Sequence, residues 1–260
     1  MTPLEALWLG IIQGLTEFFP VSSSGHLVIG QALLGLEETG VVFEVAVHVA
    51  TLVSVLVFYR RRVAGLVVDA LRGRREALEY GGKLAVATLP AVILVLLAGD
   101  FLEALFDRPA VAGIALLVTG GILWTTRWTL PRAEHPEPGW LSAWWIGCAQ
   151  AFAIVPGISR SGSTVAMSLG LGIRPAAAAE FSFLMSVPAI LGAAVTKFDE
   201  LTQVAAEAVW PLVVGSAAAG VAGVAAIWLF VAMLRRQSFH VFSYYTWVAG
   251  AAFLAWLHWA

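Results

Sequence analysis

Apolar positions in this chain come in long blocks rather than in an alternating pattern. The runs at 41–59, 84–99, 110–124, 176–195, 210–234 and 241–259 carry almost no charge. Each approaches or reaches the ~20 residues that cross ~30 Å of hydrocarbon as a helix. The pattern predicts six transmembrane helices. Residues 4–36 and 140–173 are nearly as apolar, yet each is broken midway by Pro followed by Gly, Ser and ionisable residues. A half-helix of ~15 residues rises only ~22 Å, so each of these segments is expected to enter the membrane, turn and leave again. Irregular backbone at that depth is tolerated only where protein buries it or where it lines a wet cavity. The predicted class is an all-α membrane protein with six transmembrane helices and two re-entrant helix hairpins.

The two broken segments also resemble each other. "VSSSGH" at 21–26 lies over "ISRSGS" at 158–163, and Gln13 lies over Gln150 at the same offset of 137. Pro20 and Pro156 fall one position out of register, and Glu44 and Glu180 match at an offset of 136. Each half then reads as one hairpin followed by three spans, with repeats over 1–130 and 139–260 of a single membrane domain. Three is odd, so the second repeat is expected to be inverted relative to the first.

Charge supports this topology. Arg60, Arg61, Arg62, Arg72, Arg74, Arg75, Lys83, Arg127, Arg132, Arg174, Arg235 and Arg236 fall on the predicted inner side, against Arg108 and Lys197 on the outer side. That asymmetry is what the positive-inside rule expects, and it puts both termini outside. Asp100, Glu103, Asp107, Asp199 and Glu200 gather on the outer loops, and Trp210, Trp256 and Trp259 suit an outer interfacial belt.

Composition agrees: 60 % of residues are hydrophobic and 12 % charged, far from a soluble domain. A net charge of −2 with no basic arm gives no reason to expect nucleic acid as a partner. No basic stretch leading to a small-residue cleavage site opens the chain, so no removed leader is expected. Cys148 stands alone, which leaves a small packing residue rather than a disulfide or a cysteine metal site.

The exceptional residue is Arg160. All other cations belong to loops or span ends, whereas Arg160 sits in the second break, inside Ser159-Arg160-Ser161-Gly162-Ser163-Thr164. A guanidinium among hydroxyls at a helix start suits an anion with several oxygens. Small residues for close helix packing would account for the serines and glycine but not for the arginine. The first break carries Ser22, Ser23, Ser24 and His26, one turn after Glu17, with Gln13 on the same helix face as Glu17. A carboxylate at membrane depth is a functional candidate, with an Arg160 ion pair as the plainer role. His26 could move a proton or attack phosphorus, and His48 and Glu44 are candidates for supporting positions. His135, His240 and His258 are assigned no role. There is no GxxxxGKS/T run and no HExxH motif. "SSSGH" and "SRSG" are similar to motifs of membrane phosphatidic-acid phosphatases, but no His with an Asp four residues on follows Arg160.

Gln13-Gly14-Leu15-Thr16-Glu17-Phe18-Phe19-Pro20-Val21-Ser22-Ser23-Ser24-Gly25-His26 and Pro156-Gly157-Ile158-Ser159-Arg160-Ser161-Gly162-Ser163-Thr164 resemble the two signature motifs of the undecaprenyl-diphosphate phosphatase family, the bacitracin-resistance type. The resemblance extends over nearly the whole chain. It implies hydrolysis of a polyprenyl diphosphate to the monophosphate and inorganic phosphate, recycling a lipid carrier for cell-wall synthesis, assisted by Mg²⁺ or Ca²⁺. Glu17, Ser23, His26 and Arg160 become the expected catalytic residues, with Ser23, His26 or a water as nucleophile. Ser22, Ser24, Ser159, Ser161, Ser163, Thr164 and Arg160 become expected phosphate ligands, and Glu17 and Gln13 expected metal ligands. Gln13 is the amide variant of a position that is also Glu in the family. The resemblance further implies a multi-pass protein of the bacterial inner membrane, a site facing outward, and a homodimer as an allowed assembly. The rival expectation is a transporter or flippase of an isoprenoid phosphate or another anion, since inverted repeats with broken helices also build transporters.

Overall fold

The computed structural model describes residues 1–34, 41–106, 108–196, 206–236 and 238–259. Asp107, Lys197, Asp199 and Glu200, and the side chain of Arg235, all used in the charge argument, lie outside the described residues. Among the described residues every regular element is helical, apart from an isolated parallel bridge between His135 and Ile173.

Helix α1 (Pro3–Phe18) opens with a capping box: the Thr2 hydroxyl accepts from the Glu5 N–H at 3.3 Å, and the Glu5 carboxylate accepts from the Thr2 N–H at 2.8 Å. It stops because Pro20 forces the preceding Phe19 out of the helical region, to ψ 145°. Helix α2 (Ser23–Leu34) follows after the break. Then come α3 (Val41–Phe58), α4 (Arg60–Leu71), α5 (Arg75–Phe106) and α6 (Pro109–Thr129). The second half supplies α7 (Trp140–Phe152), α8 (Arg160–Gly170), α9 (Pro175–Thr196), α10 (Ala206–Arg235) and α11 (Phe242–Trp259). The two broken segments of the sequence are thus the helix pairs α1/α2 and α7/α8.

Among the described residues four helical stretches are long and apolar enough to cross a membrane: Arg75–Phe106, Pro109–Arg132, Pro175–Gly192 and Ala208–Leu234. A fifth crossing results if α3 and α4, which meet at a bend of 79°, are counted together. The chain is therefore a multi-pass membrane protein. Helix α5 makes the lipid-facing character plain. Of its most apolar 18 residues only 6 % are buried, and Leu96 and Leu97 are about four-fifths exposed.

Lipid is as apolar as leucine, so helix association here depends on close packing rather than on expulsion of water. Helix α1 packs most extensively on α10, and α7 on α5. Each contact is founded on a glycine of the broken pair. A side chain at Gly10 would collide with the Gly215 carbonyl, and one at Gly147 with the Ala87 carbonyl. Gly10 and Gly147 stand at the same offset of 137 that relates the two motifs. Between the halves runs a chain of buried rings: Phe18–Phe183 at 5.3 Å, Phe183–Phe230 at 5.1 Å and Phe230–Phe239 at 5.4 Å. At about 0.5–1.5 kcal/mol per edge-on pair beyond burial, this ladder holds α1, α9 and α10 in one register directly beside Glu17.

Candidate active site

Both breaks use one capping frame. In the first, the Ser22 hydroxyl accepts from the Gly25 N–H at 3.3 Å and lies 3.2 Å from the Ser24 hydroxyl. In the second, the Ser159 hydroxyl accepts from the Gly162 N–H at 3.1 Å and lies 3.3 Å from the Ser161 hydroxyl. Satisfying an orphan N–H at the start of a helix is what serine does best, and it leaves the remaining N–H groups of α2 and α8 unclaimed by the cap. Two residues pay for the tight turns. Ser22 holds φ +68°, the left-handed region that L-residues avoid. Gly157 holds φ +93° with its Cα so close to Ala112 that a side chain would strike that residue's carbonyl.

The breaks touch. The Ser24 hydroxyl accepts from the Gly157 N–H at 3.4 Å, and the Ser161 hydroxyl donates to the Phe19 carbonyl at 3.1 Å. Helix α6 braces the second break through Thr119, whose hydroxyl accepts from the Ser159 N–H at 3.1 Å and donates to the Gly157 carbonyl at 3.0 Å.

Glu17 is the hub of this assembly. Its side chain is only 7 % exposed, and donors surround it. Arg160 Nη2 donates to Oε1 at 2.6 Å, the Ser23 hydroxyl to Oε2 at 2.7 Å, and Gln13 Nε2 to Oε2 at 3.0 Å. His48 Nε2 stands 3.7 Å from Oε2. A carboxylate buried in hydrocarbon without such partners would be prohibitively costly. Arg160 Nη1 donates to the Ser182 carbonyl of α9 at 3.2 Å. Two of its five N–H donors are thereby used, which leaves three for an anion. Ser23 and Arg160 are themselves separated by the offset of 137. One acid therefore bridges the equivalent first-turn positions of the two breaks.

The other expected residues divide. Thr164 is occupied structurally: its hydroxyl donates to the Arg160 carbonyl at 2.8 Å and pairs with the Ser182 hydroxyl at 2.6 Å. Among the described residues the Ser163 hydroxyl and Gln13 Oε1 are buried without a hydrogen-bond partner, as is the whole amide of Gln150, the counterpart of Gln13. The His26 ring bonds to Ser22 and Tyr245 instead of to Glu17. Its Nδ1 meets the Ser22 carbonyl at 2.8 Å and its Nε2 the Tyr245 hydroxyl at 2.7 Å, with the rings stacked at 5.6 Å. Facing a carbonyl, Nδ1 carries the proton, so in the neutral ring Nε2 is the acceptor for the tyrosine. Tyr245, Thr119 and Ser182 escape the sequence reading, because a lone hydroxyl in an apolar helix gives no pattern to follow. His48 does join the site. Glu44 enters it one turn earlier on α3, its carbonyl 2.7 Å from His48 Nδ1.

Fold and site together define a membrane protein in which two broken helices from different parts of the chain close on a buried carboxylate, a serine and an arginine. The chain matches the family model "Bacitracin resistance protein BacA" over residues 6–252. It is 38 % identical to the undecaprenyl-diphosphatase of Alkaliphilus metalliredigens (96 % of this chain, 97 % of that protein). It is 39 % identical to that of Alcanivorax borkumensis (97 % and 98 %) and 40 % identical to that of Rubrobacter xylanophilus (95 % and 96 %). The chain belongs to the BacA family.

Proposed function

We propose that this protein hydrolyses undecaprenyl diphosphate to undecaprenyl phosphate and inorganic phosphate within the membrane. The observation that carries the reading is the Ser23–Glu17–Arg160 arrangement: a hydroxyl 2.7 Å from one carboxylate oxygen and a guanidinium 2.6 Å from the other. A serine is a weak nucleophile until an adjacent base takes its proton. Glu17 is that base. The Ser23 oxygen attacks the terminal phosphorus as its proton passes to Glu17. The anhydride P–O bond breaks and the lipid monophosphate departs. Water then cleaves the phosphoserine, releasing phosphate and returning the proton. Charge on the transferring phosphoryl group is met by the three spare N–H groups of Arg160, the unpartnered Ser163 hydroxyl and the free N–H groups at the starts of α2 and α8. The hydrogen bonds of His26 to Ser22 and Tyr245 favour Ser23 over His26 as the attacking group.

A divalent cation, Mg²⁺ or Ca²⁺, fits the donor set. Gln13 Oε1 is a buried oxygen without a partner among the described residues, on an amide bonded to the Glu17 carboxylate, and hard cations take such oxygens together with substrate phosphates. Gln13 and Glu17 would hold the ion, which supplies positive charge to the diphosphate.

For the topology we propose six spans, α3, α5, α6, α9, α10 and α11, with α1/α2 and α7/α8 as re-entrant hairpins of an inverted repeat. The reciprocal packing of α1 on α10 and α7 on α5, each through an equivalent glycine, supports it. The basic span ends then lie inside and the site opens outward in the inner membrane, with the isoprenoid tail between helices. The test is phosphate release from undecaprenyl diphosphate by protein purified in detergent, with and without EDTA. Ser23→Ala and Glu17→Gln should each lose essentially all activity while remaining folded. Full activity in Ser23→Ala would overturn serine attack, and no hydrolysis by the parent protein would overturn the reading as a whole.

A further inference from the structure

Helix α4 has no part in this chemistry, and its physical character is unlike that of its neighbours. None of its residues is buried, its principal contacts are with α3 and α5, and it leaves α3 at 79°. If α3 crosses the bilayer, as the topology proposed above requires, a near right-angle bend lays α4 close to the membrane plane at the inner surface. Val63 and Leu66 rest against the protein core. Ala64, Val67, Val68 and Leu71 form a second stripe at i, i+3, i+4 and i+7. That stripe is bare: Val67 is 52 %, Val68 43 % and Leu71 84 % exposed.

The charges around the stripe are set against the helix's own electrostatics. Arg60, Arg61 and Arg62 fill the first turn of α4, where the positive end of the helix dipole repels cations. Arg62 is compensated by Glu180 at 2.8 Å and Glu137 at 3.1 Å. Beyond the C-terminus, Arg74 pairs with Asp69 at 3.0 Å and Arg75 with Glu79 at 2.6 Å. Arg60, Arg61 and Arg72 are exposed and make no ion pair among the described residues. A bare apolar ridge flanked at both ends by uncompensated arginines is the form of an in-plane helix on an anionic membrane surface.

We infer that α4 is an interfacial helix that docks on anionic phospholipid headgroups of the inner leaflet, with Ala64, Val67, Val68 and Leu71 in the acyl boundary and Arg60, Arg61 and Arg72 on the phosphates. The inference assigns a lipid contact on the face opposite the proposed opening of the active site and does not depend on the hydrolytic mechanism.

The test uses the full chain with Cys148→Ala, a nitroxide on Leu71→Cys, and vesicles of phosphatidylcholine with or without phosphatidylglycerol. With phosphatidylglycerol present, the label should be reached by oxygen and shielded from a water-soluble nickel chelate. Spin-labelled phosphatidylglycerol should associate several-fold more strongly than spin-labelled phosphatidylcholine, and Arg60→Gln/Arg61→Gln/Arg72→Gln should abolish that preference while hydrolysis stays at the parent rate. A nickel-accessible label in both vesicle types overturns the docking. A shielded label whose lipid preference survives the triple substitution overturns the anionic recognition. Shielding in native membranes but not in lipid vesicles would identify a protein occupant and overturn it too. Labelling of Glu76→Cys by an impermeant maleimide from outside intact cells would overturn the topology itself, whereas labelling only after permeabilisation supports it.

Discussion

The two helix breaks share a backbone and divide the chemistry. Ser22 and Ser159 cap, Gly25 and Gly162 donate, and Ser24 and Ser161 sit beside the caps at 3.2 and 3.3 Å. At the other equivalent positions the residues part company. Ser23 faces Arg160, His26 corresponds to Ser163, and Glu17 corresponds to Ile154. A shared frame thus supplies two anion-friendly helix starts, and the residues that differ within it supply a carboxylate and a hydroxyl from one side and a cation from the other.

Breaking the bridge between the two sides should have the largest effect. Glu17→Ala removes the proposed base and strands Arg160, whose side chain is 18 % exposed. Losing one partner of a buried pair costs about 3–5 kcal/mol, and hydrolysis should fall by at least about 10³-fold. Arg160→Ala should match it in rate. The double variant Glu17→Ala/Arg160→Ala should be more stable in detergent than either single variant, because neither charge is left alone. Thermal unfolding of the four proteins measures this. Additive destabilisation would mean that the two breaks are not coupled through this pair.

The frame itself is next. Gly10→Leu and Gly147→Leu should each prevent close packing, of α1 on α10 and of α7 on α5 respectively. Both should lower the yield of folded protein, and by similar amounts, if the halves are built alike. Overpacking of this kind costs about 1–3 kcal/mol or more. A large effect at one glycine with none at the other would show that only one of these contacts carries weight.

Thr119→Val probes a difference between the breaks, since the second is held by α6 through Ser159 N–H at 3.1 Å and the Gly157 carbonyl at 3.0 Å. Leaving two buried backbone groups unpaired costs about 1–3 kcal/mol each. Activity should drop about tenfold or more through mispositioning of Arg160, with kcat falling more than KM rises.

How far these features were legible follows from the kind of signal each leaves. Proline beside a serine-glycine run inside apolar sequence marks a break unmistakably, so both helix pairs, Glu17 and Arg160 could be read directly. The matching caps follow from the matching motifs. Helix α4 could not be read. Residues 60–75 look like a basic loop because their six arginines and one aspartate dominate a short stretch, and no proline or glycine marks the bend at Tyr59. Thr119, Ser182 and Tyr245 stayed hidden for another reason. In an apolar helix a Ser or Thr hydroxyl usually bonds back to its own turn and a tyrosine reads as one more aromatic, and only the packing of α6, α9 and α11 against the breaks brings these three to the site. His26 and Tyr245 are 219 residues apart.

Tyr245 carries the smallest prediction and the one most specific to the first break. Its hydroxyl fixes the imidazole of His26 from α11, whereas the hydroxyl of Ser163, the counterpart of His26, has no hydrogen-bond partner among the described residues. Tyr245→Phe keeps the ring stacking and removes one hydrogen bond, worth about 1 kcal/mol, so a loss of about five-fold in hydrolysis is expected. Tyr245→Ala should cost more, because the ring contact at 5.6 Å goes as well. If His26 only packs, Tyr245→Phe will leave kcat and KM unchanged. If His26 meets the substrate, the loss will appear in Tyr245→Phe and vanish in the His26→Ala background, where there is no imidazole left to orient.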